Sequence, residues 1–204
     1  MRVAVMASGT GTILNSMIER GLPIALVLVD RACGAIEIAE NAGIPAAIVE
    51  RTDYSSTFDR DAHTAHVVAA LSENDIDLIA MAGYGTILGP AMFEAFEGRV
   101  INTHPALLPK FKGWHAVRDA LAAGVTATGC TVHVATAAVD DGPILAQVEV
   151  PVLPGDTEAI LHERIKLVER ELYPQVIADI IERGTVLPEI VLPVSTETST
   201  GGTT

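Results

Sequence analysis

Apolar positions fall into two kinds of segment that alternate along the chain. Short continuous runs at Val3–Ala7, Ile24–Val29, Ala46–Val49, Leu78–Ala82 and Val100–Ile101 have strand length and no polar face, as strands buried on both sides do. Between them lie longer stretches with helical spacing: Ile13–Arg20 ending at Gly21, Ile36–Asn41 ending at Gly43, Phe58–Glu73, a short one at Ala91–Phe96, and His115–Ala123 stopped by Gly124. Strands separated by helices predict a doubly wound, mostly parallel α/β sheet with helices on both faces. The alternation breaks once. Thr128–Val134 and Ile144–Val150 follow one another with no helix between, so one late strand is expected to run antiparallel. A long helix over about Glu158–Glu182 closes the pattern. One domain over residues 1–194 is the natural reading for this length. Residues 195–204 are only Ser, Thr, Gly and Glu, and are expected to form a disordered tail.

Composition narrows the partners. Hydrophobic residues make up 49%, enough for a sizeable core, whereas aromatic residues are only 4%. Acids outnumber bases 26 to 13, a net charge of −13 with no basic run. That balance argues against nucleic acid, which calls for a basic patch or stacking platforms. Cys33 and Cys130 lie far apart with no Cys-x-x-Cys, so neither a disulfide framework nor a zinc site is expected, and a reducing cytoplasm fits. No stretch reaches the roughly 18 uninterrupted apolar residues of a membrane helix.

Two places carry candidate chemistry. Ser8-Gly9-Thr10-Gly11-Thr12 joins the first strand to the first helix, where backbone N–H groups and the positive helix end suit a phosphate. It lacks the third glycine of a dinucleotide fingerprint, position 14 being Leu14, and the Gly-Lys-Ser/Thr of a P-loop. The same glycines also serve a tight turn with no ligand. The second place is Asn102-Thr103-His104-Pro105-Ala106-Leu107-Leu108-Pro109 together with Asp140-Asp141-Gly142-Pro143. An amide, an imidazole and a carboxylate supply what acyl-type transfer needs: an oxyanion donor, a group titrating near neutrality and an acid to tune it. The remaining histidines read as ordinary. His63, His66 and His162 belong to solvated helix faces, and His133 to a strand interior. No cluster has metal-ligand spacing, so no metal is expected.

The segment Asn102-x-His104-Pro105-x-Leu107-Leu108-Pro109 resembles the signature of the folate-dependent formyltransferases. Ser8-Gly9-x-Gly11, Ala82-Gly83-Tyr84, Gly113-x-His115, Val139-Asp140-x-Gly142-Pro143-Ile144, Gly155-Asp156 with Glu158, and Glu169 with Tyr173-Pro174 are similar to the short single-domain branch that acts on glycinamide ribonucleotide. The resemblance spans about residues 2–183. It implies a cytoplasmic enzyme of de novo purine biosynthesis, a monomer or homodimer with small-molecule partners only. Its co-substrate would be 10-formyltetrahydrofolate, whose formyl group passes to the amine of glycinamide ribonucleotide. By that resemblance Asn102, His104 and Asp140 carry the chemistry, and His115 helps orient Asp140. Gly11, Thr12 and Ile13 would hold the phosphate and Glu169 the ribose. Tyr84, Gly85, Thr86, Ile87, Leu88 and Val139 would hold the folate. The chain departs from the family pattern in three places: Ile13 replaces a usual Asn, Gly85-Thr86 a frequent Met-Arg, and Asp141 a frequent Gly. The missing Arg would leave the anionic glutamate tail of the folate without a cation at Thr86. Alternatives remain at this point. A 10-formyltetrahydrofolate hydrolase would share the trio, and a non-catalytic folate- or phosphate-binding module would share the fold. A methionyl-tRNA formyltransferase would call for a basic surface. A dinucleotide oxidoreductase would use Asp30, after the second strand, as its ribose-binding acid.

Overall fold

A computed structural model describes residues 1–187. In chain order the elements are β1 (Val3–Ala7), α1 (Thr12–Glu19), β2 (Ile24–Val29), α2 (Gly34–Asn41), β3 (Ala46–Ile48), α3 (Arg60–Glu73), β4 (Leu78–Met81), α4 (Pro90–Ala95), β5 (Val100–His104), α5 (Ala116–Ala122), β6 (Ala127–Val134), β7 (Ile144–Pro151) and α6 (Glu158–Arg183). The strands form one seven-stranded sheet in the order β3-β2-β1-β4-β5-β6-β7. β3, β2, β1, β4 and β5 pair in parallel. β6 runs antiparallel to both β5 and β7, which makes it the one reversed strand. The expected stretch 195–204 and the domain limit at 194 lie outside the described residues.

Side chains alternate across each strand, and helices cover both faces. Val3, Val5 and Ala7 of β1 meet Leu14 and Met17 of α1 and Tyr173 and Ile177 of α6. Ala4 and Met6 point the other way, into a cluster with Val67 and Leu71 of α3 and Met92 of α4. All five residues of β1 are buried, which is why its apolar run has no polar break. Among the described residues no helix is long and apolar enough to cross a membrane.

Element ends differ from the sequence reading where polar residues join an element. β5 continues through Asn102 and Thr103 to His104, because the ladder runs on: Asn102 pairs with Met81 on one side and His133 on the other. The reactive motif therefore begins inside the sheet rather than just past it. α3 starts at Arg60, since the Asp59 side chain accepts from Ala62 N at 2.9 Å and leaves Phe58 outside the helix. α6 is capped by Thr157 at its start and ends on left-handed Gly184.

Candidate active site

The carboxyl ends of β1, β4 and β5 point to one edge of the sheet, where open α/β sheets bind their ligands. The segments that follow them, the β6–β7 connection and one face of α6 enclose a cleft of about 740 Å³. Asn102, His104 and Asp140 all line it.

Asp140 sits at the centre. Its Oδ2 lies 3.3 Å from His104 Nδ1, and its Oδ1 lies 3.5 Å from His133 Nε2. Gly113 N donates to Oδ2 at 2.8 Å. Burial disfavours the carboxylate, but the His133 and Gly113 hydrogen bonds and the nearby imidazoles outweigh it and hold its pKa below the ordinary range. Asp140 also has a left-handed backbone, φ 53°, an uncommon conformation for a residue other than glycine. Both ring nitrogens of His104 face acceptors, since Nε2 lies 2.8 Å from the Phe111 carbonyl. Only the doubly protonated ring satisfies both at once.

His133 links the other two members. Its Nδ1 donates to its neighbour's carbonyl, Val134 O, at 3.0 Å, and its Nε2 lies 3.2 Å from the Asn102 amide nitrogen. Sequence reasoning left His133 as a core residue, and the strand register Asn102↔His133 is what brings it here. His115, read as the residue that orients Asp140, stands at the N-terminal end of α5, where its side chain makes no capping hydrogen bond. It is exposed and lines the cleft, but makes no hydrogen bond or ion pair with Asp140; His133 occupies that place. Asp141 turns outward and pairs with Lys112, so its charge does not face the cleft.

At one end of the cleft, α1 begins at Thr12 with no side chain capping it, which leaves N–H groups free for an anion. Gly11 takes φ 75°, a conformation that side chains rarely adopt, and a Cβ there would lie 3.0 Å from the Ala35 backbone, so both the turn and the space favour glycine. Ile13 contributes only backbone, its side chain being buried in the core. Opposite, Glu158, His162, Lys166 and Glu169 lie along one face of α6 and line the same cleft. Lys166 is the only Lys or Arg lining it among the described residues, and sequence reasoning missed it despite its position one turn before Glu169. Burial raises the pKa of Glu169, opposed by the Thr103 hydroxyl, Lys166 and Arg170. His162 is half-buried here rather than solvated, and burial with the nearby Lys166 lowers its pKa.

At the other end, Tyr84, Gly85, Thr86, Ile87, Leu88 and Val139 all line the wall. Their side chains divide. Ile87 and Val139 are each 50% exposed and face open space. Leu88 is buried in the core, and so is Tyr84, whose hydroxyl lies 3.3 Å from His63 Nε2. His63 is therefore a buried partner of Tyr84, not a solvated residue like exposed His66. Gly85 N donates to Ser8 Oγ at 2.7 Å, which ties the two loops together. Thr86 turns its hydroxyl inward to Asp30 Oδ2 at 2.7 Å and is 1% exposed. Asp30 is fully buried and receives Arg31 on both oxygens, at 2.9 and 3.0 Å. It thus has no free oxygen to offer a dinucleotide ribose. A cation does stand beside this wall, since a Cβ on Gly85 would lie 3.3 Å from an Arg31 guanidinium nitrogen.

A family model described as formyl transferase matches residues 1–177. The phosphoribosylglycinamide formyltransferase of Mycobacterium tuberculosis (strain H37Rv) is 47% identical over 188 residues, covering 90% of this chain and 86% of that protein. The crystal structure of the Streptococcus pneumoniae TIGR4 phosphoribosylglycinamide formyltransferase matches with a TM-score of 0.81 at 37% identity, over 88% of this chain and 98% of that one. Glycinamide ribonucleotide transformylase 1 from Symbiobacterium toebii matches with a TM-score of 0.83 at 38% identity, over 93% and 91%.

Proposed function

The chain belongs to the formyl transferase family, and from that premise we propose how its cleft works. The protein is an enzyme that transfers the formyl group of 10-formyltetrahydrofolate to the amine of glycinamide ribonucleotide in purine biosynthesis. The observation that carries the residue assignment is Asp140 held between His104 and His133, with the Asn102 amide on His133.

The uncharged amine attacks the formyl carbon, and the carbonyl oxygen becomes an oxyanion. The Asn102 amide and His104 Nε2–H donate to it. In the free enzyme that N–H is given to the Phe111 carbonyl, so the oxyanion takes the place of Phe111 O as acceptor. Asp140, ionised across neutral pH, stands 3.3 Å from His104 Nδ1 as the carboxylate that faces and orients the ring. The attacking nitrogen loses a proton and the departing folate nitrogen gains one, with Asp140 and a bridging water as the route. Two protein donors already serve the oxyanion, so no step calls for a metal.

Gly11, Thr12 and Ile13 bind the phosphate through backbone N–H groups at the start of α1, and Lys166, the only Lys or Arg lining the cleft among the described residues, adds a positive charge. Glu169 accepts from the ribose hydroxyls. Ile87 and Val139 cover the folate rings, on a wall braced from behind by Tyr84, Gly85, Thr86 and Leu88. Holding both substrates in one cleft supplies the orientation that a bimolecular reaction in water lacks.

A coupled assay of tetrahydrofolate release with and without glycinamide ribonucleotide tests the reading. Release is expected only with the ribonucleotide. Equal release without it would replace transfer by hydrolysis.

A further inference from the structure

We propose that Trp114 seats the aminobenzoyl ring of the folate donor, a role that rests on the formyl-transfer reading above. Trp114 is the only tryptophan of the chain and is 76% exposed, although it lines the catalytic cleft. A large apolar ring held in water beside a functional cleft marks a surface that a ligand covers. Ile87 and Val139, also half exposed, line the same cleft, so three uncovered apolar side chains border one space.

The loop that carries Trp114 is anchored on both sides of the chemistry. The Phe111 carbonyl meets His104 Nε2 at 2.8 Å, Lys112 pairs with Asp141, and Gly113 N meets Asp140 Oδ2 at 2.8 Å. Trp114 follows Gly113 directly, so its backbone stands one residue from the N–H that binds the carboxylate at the reaction centre. In 10-formyltetrahydrofolate the nitrogen that bears the formyl group is bonded directly to the aminobenzoyl ring. Placing the formyl carbon at Asn102 and His104 therefore brings that flat ring next to this residue. Indole against a benzene ring is a favourable aromatic pair. The ribonucleotide offers the loop only a ribose, a phosphate and a short amide, none of which needs an exposed indole.

Trp114 emission reports this one side chain. Acrylamide quenching is measured with tetrahydrofolate, with glycinamide ribonucleotide, and with neither, while calorimetry records tetrahydrofolate binding. Saturating tetrahydrofolate is expected to cut the quenching constant several-fold, and the ribonucleotide alone to leave it unchanged. Trp114→Ala should raise the donor KM about tenfold, the scale of an aromatic contact with its buried area, and leave the ribonucleotide KM as it was. Trp114→Phe should recover most of that loss, which a merely structural role would not require. Bound tetrahydrofolate that leaves Trp114 fully quenchable overturns the proposal, as does shielding by the ribonucleotide alone or an unchanged donor KM in Trp114→Ala. If calorimetry shows no tetrahydrofolate binding at all, the formyl-transfer reading falls with it.

Discussion

Asp140 faces two imidazoles at once, and only one of them was visible from its neighbours in sequence. His104 stands out because a strand delivers it and Pro105 follows it. His133 has apolar neighbours within a strand and no local mark. If His104 and Asp140 act on charge that appears in the transition state, His104→Ala and Asp140→Asn should each lower kcat by about a hundredfold or more, the value of one such donor. The ribonucleotide KM should barely move, and steady-state kinetics at saturating donor checks both numbers. Glu169 makes a different trade. Burial raises its pKa, so folding favours the protonated form. Its contribution is favourable below the unfolded value of about 4.3 and is lost as pH rises through the higher folded value. Glu169→Gln should therefore raise Tm at pH 7.5 and leave it unchanged near pH 4. The same variant should raise the ribonucleotide KM. Thermal melts at the two pH values and a KM measurement test the trade together.

At the scale of elements, β6 decides more than any other strand. Its reversal was legible because no helix separates it from β7. What it delivers was not, since His133 reaches the site only through the register with β5. Gly129 on the same strand shows how tightly that register is set. A Cβ there would lie 2.3 Å from Val148 O on β7 and 2.5 Å from Leu107 Cδ2 in the reactive motif. Backbone on one side and a motif residue on the other leave little room to yield. Gly129→Ala should destabilise by about 1–3 kcal/mol, the usual cost of overfilling a close contact, read as a lower urea midpoint. Activity per folded molecule should fall too, because Leu107 belongs to the turn after His104. α6 is the reverse case. Its spacing places Glu158, His162, Lys166 and Glu169 on one stripe, so the cation missed in the sequence was within reach of a helical-wheel argument.

Over the whole molecule the charge is −13, yet both substrates are anionic and only one Lys or Arg among the described residues lines the cleft. The long-range field opposes encounter, while the α1 N–H groups and Lys166 act within the cleft. Raising the ionic strength from about 0.01 to 0.15 M shortens the screening length from about 30 to 8 Å, which weakens the distant repulsion most. kcat/KM for the ribonucleotide should then rise about two- to threefold, and a fall would mean that local attraction governs association. The amino-acid sequence by itself determined the order of strands and helices and the covered parallel sheet with one reversed strand, and it singled out Asn102, His104 and Asp140, which the fold brings to one cleft. Each of those is written in short-range periodicity or in a contiguous motif. The tertiary structure alone decided that His133 and not His115 meets Asp140, and that His63 is buried on Tyr84. It also decided that Thr86 spends its hydroxyl on Asp30 while Arg31 stands beside Gly85. Those contacts join residues far apart in the chain, such as Asp30 and Thr86. They follow from strand register and from which loops meet at one sheet edge, and neither leaves a periodic trace in local sequence.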